Sequence, residues 1–112
     1  MFVGADNVVI GEMAGQFVKD YLEKKGVDKP VVVEMKGLVG TKPQEERHTG
    51  ARKFIDMVQG VEVKEEVADW LQDKAKTRMQ TLLQANPKID VVYAHNDPMA
   101  VGCYLAAQEA GR

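Results

Sequence analysis

The sequence contains no serine, a single cysteine and a single tryptophan in 112 residues. Without serine, a Ser–His–Asp catalytic arrangement is excluded outright. Cys103 has no partner for an internal disulfide, and no Cys-x-x-Cys or Cys/His spacing suggests zinc. His48 and His95 lie far apart in sequence with no carboxylate pattern pointing to a metal, so neither a metal nor a cofactor is expected. A basic excess is missing too: 15 Lys and Arg against 17 Asp and Glu give a formal net charge of −2. Phosphate backbones require a concentrated basic surface, and the nearest approach to one, Lys74, Lys76 and Arg78, reads as a solvated helix face; nucleic acid is not an expected partner. No apolar run approaches the roughly 20 residues that cross a bilayer. Met1-Phe2-Val3 leads straight into a strand-like segment, so any export signal is expected outside this chain.

What is present is ordinary for one small globular domain: 45% apolar and 29% charged residues. Two kinds of segment alternate. Phe2 to Ala5, Pro30 to Met35, Val61 to Val67 and Ile89 to Ala94 are short and rich in valine and isoleucine, as buried strands are. Between them, apolar residues recur at helical spacing. Ile10, Met13, Ala14, Phe17 and Tyr21 form one stripe, and Gly26 stops that helix. Gly50, Ala51, Phe54, Ile55 and Val58 form a second, and Leu71, Ala75, Met79, Leu82 and Leu83 a third. The last helix is expected to start with Asp97 as N-cap and Pro98 as its first residue, to bury Ala100, Cys103, Tyr104 and Ala107, and to end at Gly111.

The β-α-β-α-β-α-β-α order implies right-handed crossovers and a three-layer α/β/α sandwich on a parallel, flavodoxin-like doubly wound sheet. Residues 1–112 are expected to form a single unit. Glu62, Lys64 and Glu66 alternate with valines in the third strand, which fits an edge strand with one wet side. A helix ends at Gly111-Arg112 where another strand is expected, so the chain reads as part of something longer.

Ligands of open parallel sheets bind beyond the carboxyl ends of the strands. The residues there are Asp6-Asn7, the loop from Gly37 leading to Arg47, Asp69-Trp70, and His95-Asn96-Asp97. Amide, carboxylate, guanidinium and a large aromatic suit a sugar: planar groups hydrogen-bond hydroxyls, and an aromatic face covers C–H patches. Competing readings stay open. Trp70 could serve the core or a cap, Arg47 could pair with Glu45 or Glu46, Asp97 could be only an N-cap, and Asp6 and Asn7 could cap the first helix. The Gly37–Gly40 loop has no phosphate-cradling Gly-Lys-Thr or Gly-Lys-Ser. Cys103 lies mid-helix on the apolar side, as a small buried residue rather than a nucleophile. Asp6 and Asp97 alone do not make an acidic magnesium pocket, because the further acidic pair and strand-end lysine of such pockets cannot be placed. No catalytic residue is expected.

Val3-Gly4-Ala5-Asp6-Asn7 with Gly11-Glu12-Met13-Ala14-Gly15, Glu34 to Thr41, Glu46-Arg47-His48-Thr49-Gly50, Ala68-Asp69-Trp70 and His95-Asn96-Asp97-Pro98-Met99-Ala100-Val101-Gly102 follow one another in a familiar order. Together they resemble the second lobe of periplasmic sugar-binding proteins of the ribose/galactose type, the type I solute-binding proteins. The resemblance spans essentially the whole chain, although Ala51 stands where the family usually has phenylalanine. It implies that Arg47 and Asn96 hydrogen-bond sugar hydroxyls, that Trp70 stacks on the ring, and that the chain does not catalyse. It further implies a missing first lobe, hinge closure on a small sugar, a periplasmic or extracytoplasmic location, and a membrane permease or a sensor histidine kinase as partner. An effector-binding core of the lactose-repressor type is a third possibility, disfavoured by Ala68-Asp69-Trp70 and Glu45-Glu46-Arg47-His48. Exposed cleft and edge surfaces also leave a homo-oligomer open.

Overall fold

The computed structural model describes residues 7–112, so the strand expected at Phe2 to Ala5 and the site candidate Asp6 lie outside the described residues. Within them the order is α1 (Asn7–Lys25), β1 (Val31–Lys36), α2 (Lys42–Ile55), β2 (Glu62–Val67), α3 (Gln72–Ala85), β3 (Val91–Ala94) and α4 (Asp97–Glu109). The sheet runs β2-β1-β3, parallel throughout. Val32 aligns with Val63 on one side and with Val91 on the other. Among the described residues β2 lies at an edge, which fits its alternating charges, and β1 is the buried centre.

Alternation along β1 distributes two cores to opposite faces. Val32 joins Val18, Leu22, Ala51, Ile55 and Tyr93 under α1 and α2. Val33 and Met35 join Met79, Leu82, Leu83, Met99, Cys103 and Ala106 under α3 and α4. This is the three-layer α/β/α arrangement expected from the sequence. Each large side chain buried in these layers contributes about 1.5–3 kcal/mol relative to exposure.

The stripe expected to face the core on α1 is not the one that does. Met13 and Phe17 are 69% and 71% exposed, and Ile10 and Tyr21 are also exposed, whereas Gly11, Gly15, Val18 and Leu22 are buried. The cause is close helix–helix contact: a Cβ on Gly11 or Gly15 would strike the carbonyls of Arg47 and Ala51, and one on Gly50 the carbonyl of Val8. Small residues let the α1 and α2 backbones touch, and the bulky stripe turns outward. The same reason shifts α4, which buries Met99, Gly102, Cys103 and Ala106 and leaves Ala100 and Tyr104 exposed, because Gly102 meets the Gln72 carbonyl. Leu71 precedes α3 as its cap residue and is exposed rather than part of the core face.

Among the described residues, no helix is long and apolar enough to cross a membrane. Of the three basic residues along α3, Lys74 pairs with Asp69 and Lys76 with Glu109.

Candidate ligand-binding site

The loops after β1, β2 and β3 all open at the same edge of the sheet, because parallel strands place their carboxyl ends together. Arg47 reaches this edge from the second turn of α2, Trp70 from the turn between β2 and α3, and Asn96 from the junction of β3 and α4. The three side chains line one open pocket of about 450 Å³ with Thr41 and Pro43.

Arg47 is half-buried and oriented from two sides. Its Nε donates to Asn7 Oδ1 at 3.0 Å, and a terminal nitrogen donates to the His95 carbonyl. Its guanidinium carbon lies 5.7 Å from the Trp70 ring centroid, within cation–π range. Those partners, rather than Glu45 or Glu46, hold the side chain among the described residues. Asn7 thus orients Arg47, in addition to beginning α1 as described.

Trp70 is half-buried, and its indole covers the Gly37 backbone so closely that a Cβ there would overlap the ring. Asp69 and Trp70 both adopt left-handed backbone angles, with φ of 52° and 70°. Such non-glycine residues cost about 1–3 kcal/mol each and gather at ligand sites and switch regions. The Asp69–Lys74 ion pair and the Leu71 N–H bond to the Ala68 carbonyl hold this turn.

Asn96, not Asp97, is the N-cap of α4, which corrects the expectation from sequence. Its Oδ1 accepts from the Met99 N–H at 3.0 Å, and its Nδ2 donates to the Trp70 carbonyl at 3.3 Å. The cap shifts by one residue because Asn96 has the extended backbone (φ −147°, ψ 170°) a cap requires. Asp97 is exposed in the first turn, where its charge favours the helix dipole. It lines the neighbouring groove along β3 with Arg47 and Asn96 rather than the pocket under Trp70.

A polar network that sequence spacing does not reveal lies beneath the site. Glu34, in the middle of the central strand, is fully buried, and its Oε2 meets both His48 Nδ1 and His95 Nε2 at 2.8 Å. The two histidines are therefore brought together on one carboxylate. The available signal was a lone acid inside Val31-Val32-Val33-Glu34-Met35, since an acid is buried only with partners. Arg52 lies 3.7 Å from Glu34 Oε1, and Glu65 is bound by both Lys36 and Arg52. Glu34, His48 and Glu65 present ligand atoms within 4.8 Å of one another. Two cations already held on these carboxylates make this a poor place for a metal ion.

Two further groups are chemically quiet. Burial, with the Glu34 charge adding to it, pushes the Tyr93 hydroxyl up to about 12 against a smaller opposing effect of Arg47. Burial likewise pushes the Cys103 thiol up to about 11, which suits a packing residue and not a nucleophile.

Comparison with known proteins matches this geometry to a family. The ribose import binding protein of Bacillus subtilis is 38% identical over 110 residues, covering 98% of this chain and 34% of that protein. The fructose binding periplasmic domain of a hybrid two-component system superposes with a TM-score of 0.88 at 39% identity, covering 98% of this chain and 36% of the other. A Mycobacterium smegmatis protein in complex with β-D-fucofuranose gives a TM-score of 0.90 at 31% identity, over 100% of this chain and 37% of that one. The chain spans about a third of the length of the curated relatives it matches, and those relatives are binding proteins. The periplasmic binding protein domain family matches residues 1–112, and with the parallel sheet and its strand-end site this chain belongs to that family.

Proposed function

We propose that this chain is one lobe of a two-lobed, non-catalytic receptor that binds a monosaccharide at the carboxyl edge of its sheet. The observation that carries the reading is the convergence of the Arg47 guanidinium, the Trp70 ring and the Asn96 amide on one open pocket. Arg47 and Asn96 supply planar donors for hydroxyls, and Trp70 an apolar face for C–H groups. Asp97 is a rim residue in this reading, and Asp6 a candidate at the preceding strand end. The pocket is a half-site: the sugar is sandwiched when another lobe of the same parent closes over it, and the closed form is what a membrane partner recognises. The location that follows is the periplasm or another extracytoplasmic space.

Calorimetry on the two-lobed parent tests this, with ribose, allose, fructose and galactose as probes. The expected result is micromolar or tighter binding of one of them, weakened at least about a hundredfold by Trp70→Ala or Arg47→Ala, since each removes about 3 kcal/mol of desolvated contact. The 112-residue chain alone is expected to bind weakly or not at all. Micromolar affinity in the isolated chain would overturn the half-site.

Similarity to the periplasmic domain of a hybrid two-component system supports a sensor-kinase role beside the transport role supported by the import proteins. A kinase and membrane helix in the parent gene, against a neighbouring permease gene, separates the two.

A further inference from the structure

His95 is enclosed on several sides, and its surroundings decide where its hydrogen lies. The Gly37 N–H donates to Nδ1 at 3.2 Å, while Nε2 faces Glu34 Oε2 at 2.8 Å. A backbone amide only donates, so Nδ1 must present its lone pair and the ring hydrogen belongs on Nε2, donated to the carboxylate. His95 is 3% exposed and Glu34 0%, so water does not compete for these bonds. Tyr93 and Trp70 hold the ring laterally, with centroids at 5.3 Å and 6.2 Å. His48 binds the same Glu34 oxygen from α2, which fixes the carboxylate from the other side.

Each group of the pocket is tied either to what this ring holds or to the His95 backbone. Gly37, whose amide it accepts, is the surface on which the Trp70 indole lies. The His95 carbonyl takes the Arg47 guanidinium. Asn96 is the next residue along the chain. A hydrocarbon of the same bulk would fill the space but strand the Gly37 N–H and one Glu34 bond, both buried.

We propose that His95 is the positioning residue of the pocket: its neutral Nε2–H form, locked between Glu34 and the Gly37 amide, sets the relative placement of Arg47, Trp70 and Asn96. The importance of those three groups rests on the sugar-receptor reading, whereas the tautomer and its structural effect do not.

The test uses the 112-residue chain, labelled with ¹⁵N, without ligand. Long-range ¹H–¹⁵N spectra should show His95 Nδ1 as a bare acceptor nitrogen and Nε2 as the protonated one. The opposite tautomer, or a ring protonated on both nitrogens near neutral pH, overturns the proposal. His95→Gln should retain the placement, because its amide can accept from Gly37 and donate to Glu34. His95→Leu should speed exchange of the Gly37 amide by about tenfold or more and move the Trp70 indole, Arg47 Nε and Asn96 amide signals, with the α3–α4 methyl signals of Leu82 and Leu83 in place. If Gln disturbs those signals as much as Leu, or Leu leaves them unchanged, the positioning role is wrong. If the Leu variant fails to fold, the wild-type tautomer and the Gln variant still decide. A correct tautomer in a parent that binds no sugar would remove the receptor reading alone.

Discussion

The Trp70 indole lies against the Gly37 backbone with no room for a side chain at position 37. The atoms in the way belong to a rigid ring, so accommodation requires the ring itself to move. Gly37→Ala is therefore expected to destabilise the chain by about 1–3 kcal/mol, the usual cost of overpacking, and to shift the emission of its only tryptophan. Urea denaturation and fluorescence check this together. An alanine variant with unchanged emission and stability would mean that the ring is not seated on Gly37.

Gly15 and Phe17 distinguish two faces of α1. Gly15 meets the Ala51 backbone, whereas Phe17 is 71% exposed. Gly→Ala in a helix interior ordinarily gains about 1 kcal/mol from propensity alone. A net loss of about 1–3 kcal/mol in Gly15→Ala would thus isolate the packing cost, while Phe17→Ala should stay within about 0.5 kcal/mol. Denaturant midpoints of the two variants give the comparison, and the reverse order would restore the bulky stripe to the core.

Acid should weaken the network on β2. Burial acts to raise the Glu65 carboxyl, but the Lys36 hydrogen bond and charge, with His48 and Arg52, outweigh it and hold its pKa below the ordinary 4.5. A carboxylate depressed in the folded state contributes stability that is complete above its unfolded value and disappears as pH falls through the folded one. Its side chain is 36% exposed, so solvent screening limits the contribution to below about 1 kcal/mol. Glu65→Gln should be less stable than wild type at neutral pH by that amount, and the gap should narrow on acidification to about pH 3. Parallel urea curves at the two pH values test the sign.

Cys103 offers a probe of opening. Burial moves its thiol from 9.0 to about 11, which near about pH 8 lowers the thiolate fraction by about a hundredfold. Alkylation of the native chain should be slower than that of the urea-unfolded chain by at least this factor, because closed packing adds to it. Mass spectrometry after timed iodoacetamide treatment measures both rates, and equal rates would show that α4 does not stay seated on α3.

How much of this was legible in the sequence varies with the distance over which each feature is decided. β1 was readable because a central parallel strand is buried on both faces and its valines form a continuous run. The site edge was readable because parallel topology brings strand ends together whatever the packing, and Arg47, Trp70 and Asn96 do converge there. The α1 stripe misled because periodicity shows that a bulky face exists without saying which face a neighbour will take, and three glycines settled that in favour of the small one. Glu34 was opaque for another reason. Its histidines come from 14 and 61 residues away, so the burial of its charge is determined by the assembled sheet.

Asn96 has two jobs that one pair of substitutions can separate. Its Oδ1 caps α4 at the Met99 N–H, while its Nδ2 faces the Trp70 carbonyl at the pocket edge. Asparagine and aspartate cap about equally well, and alanine loses about 0.5–2 kcal/mol. Asn96→Asp should therefore keep the cap and lose only the Nδ2 bond, about 1 kcal/mol, whereas Asn96→Ala should lose both. If the proposed receptor reading holds, Asn96→Asp in the two-lobed parent should nevertheless bind sugar at least about tenfold more weakly, because a carboxylate cannot donate to a hydroxyl oxygen as the amide does. A variant that keeps both its stability and its sugar affinity would confine Asn96 to capping and leave Arg47 and Trp70 to hold the ligand.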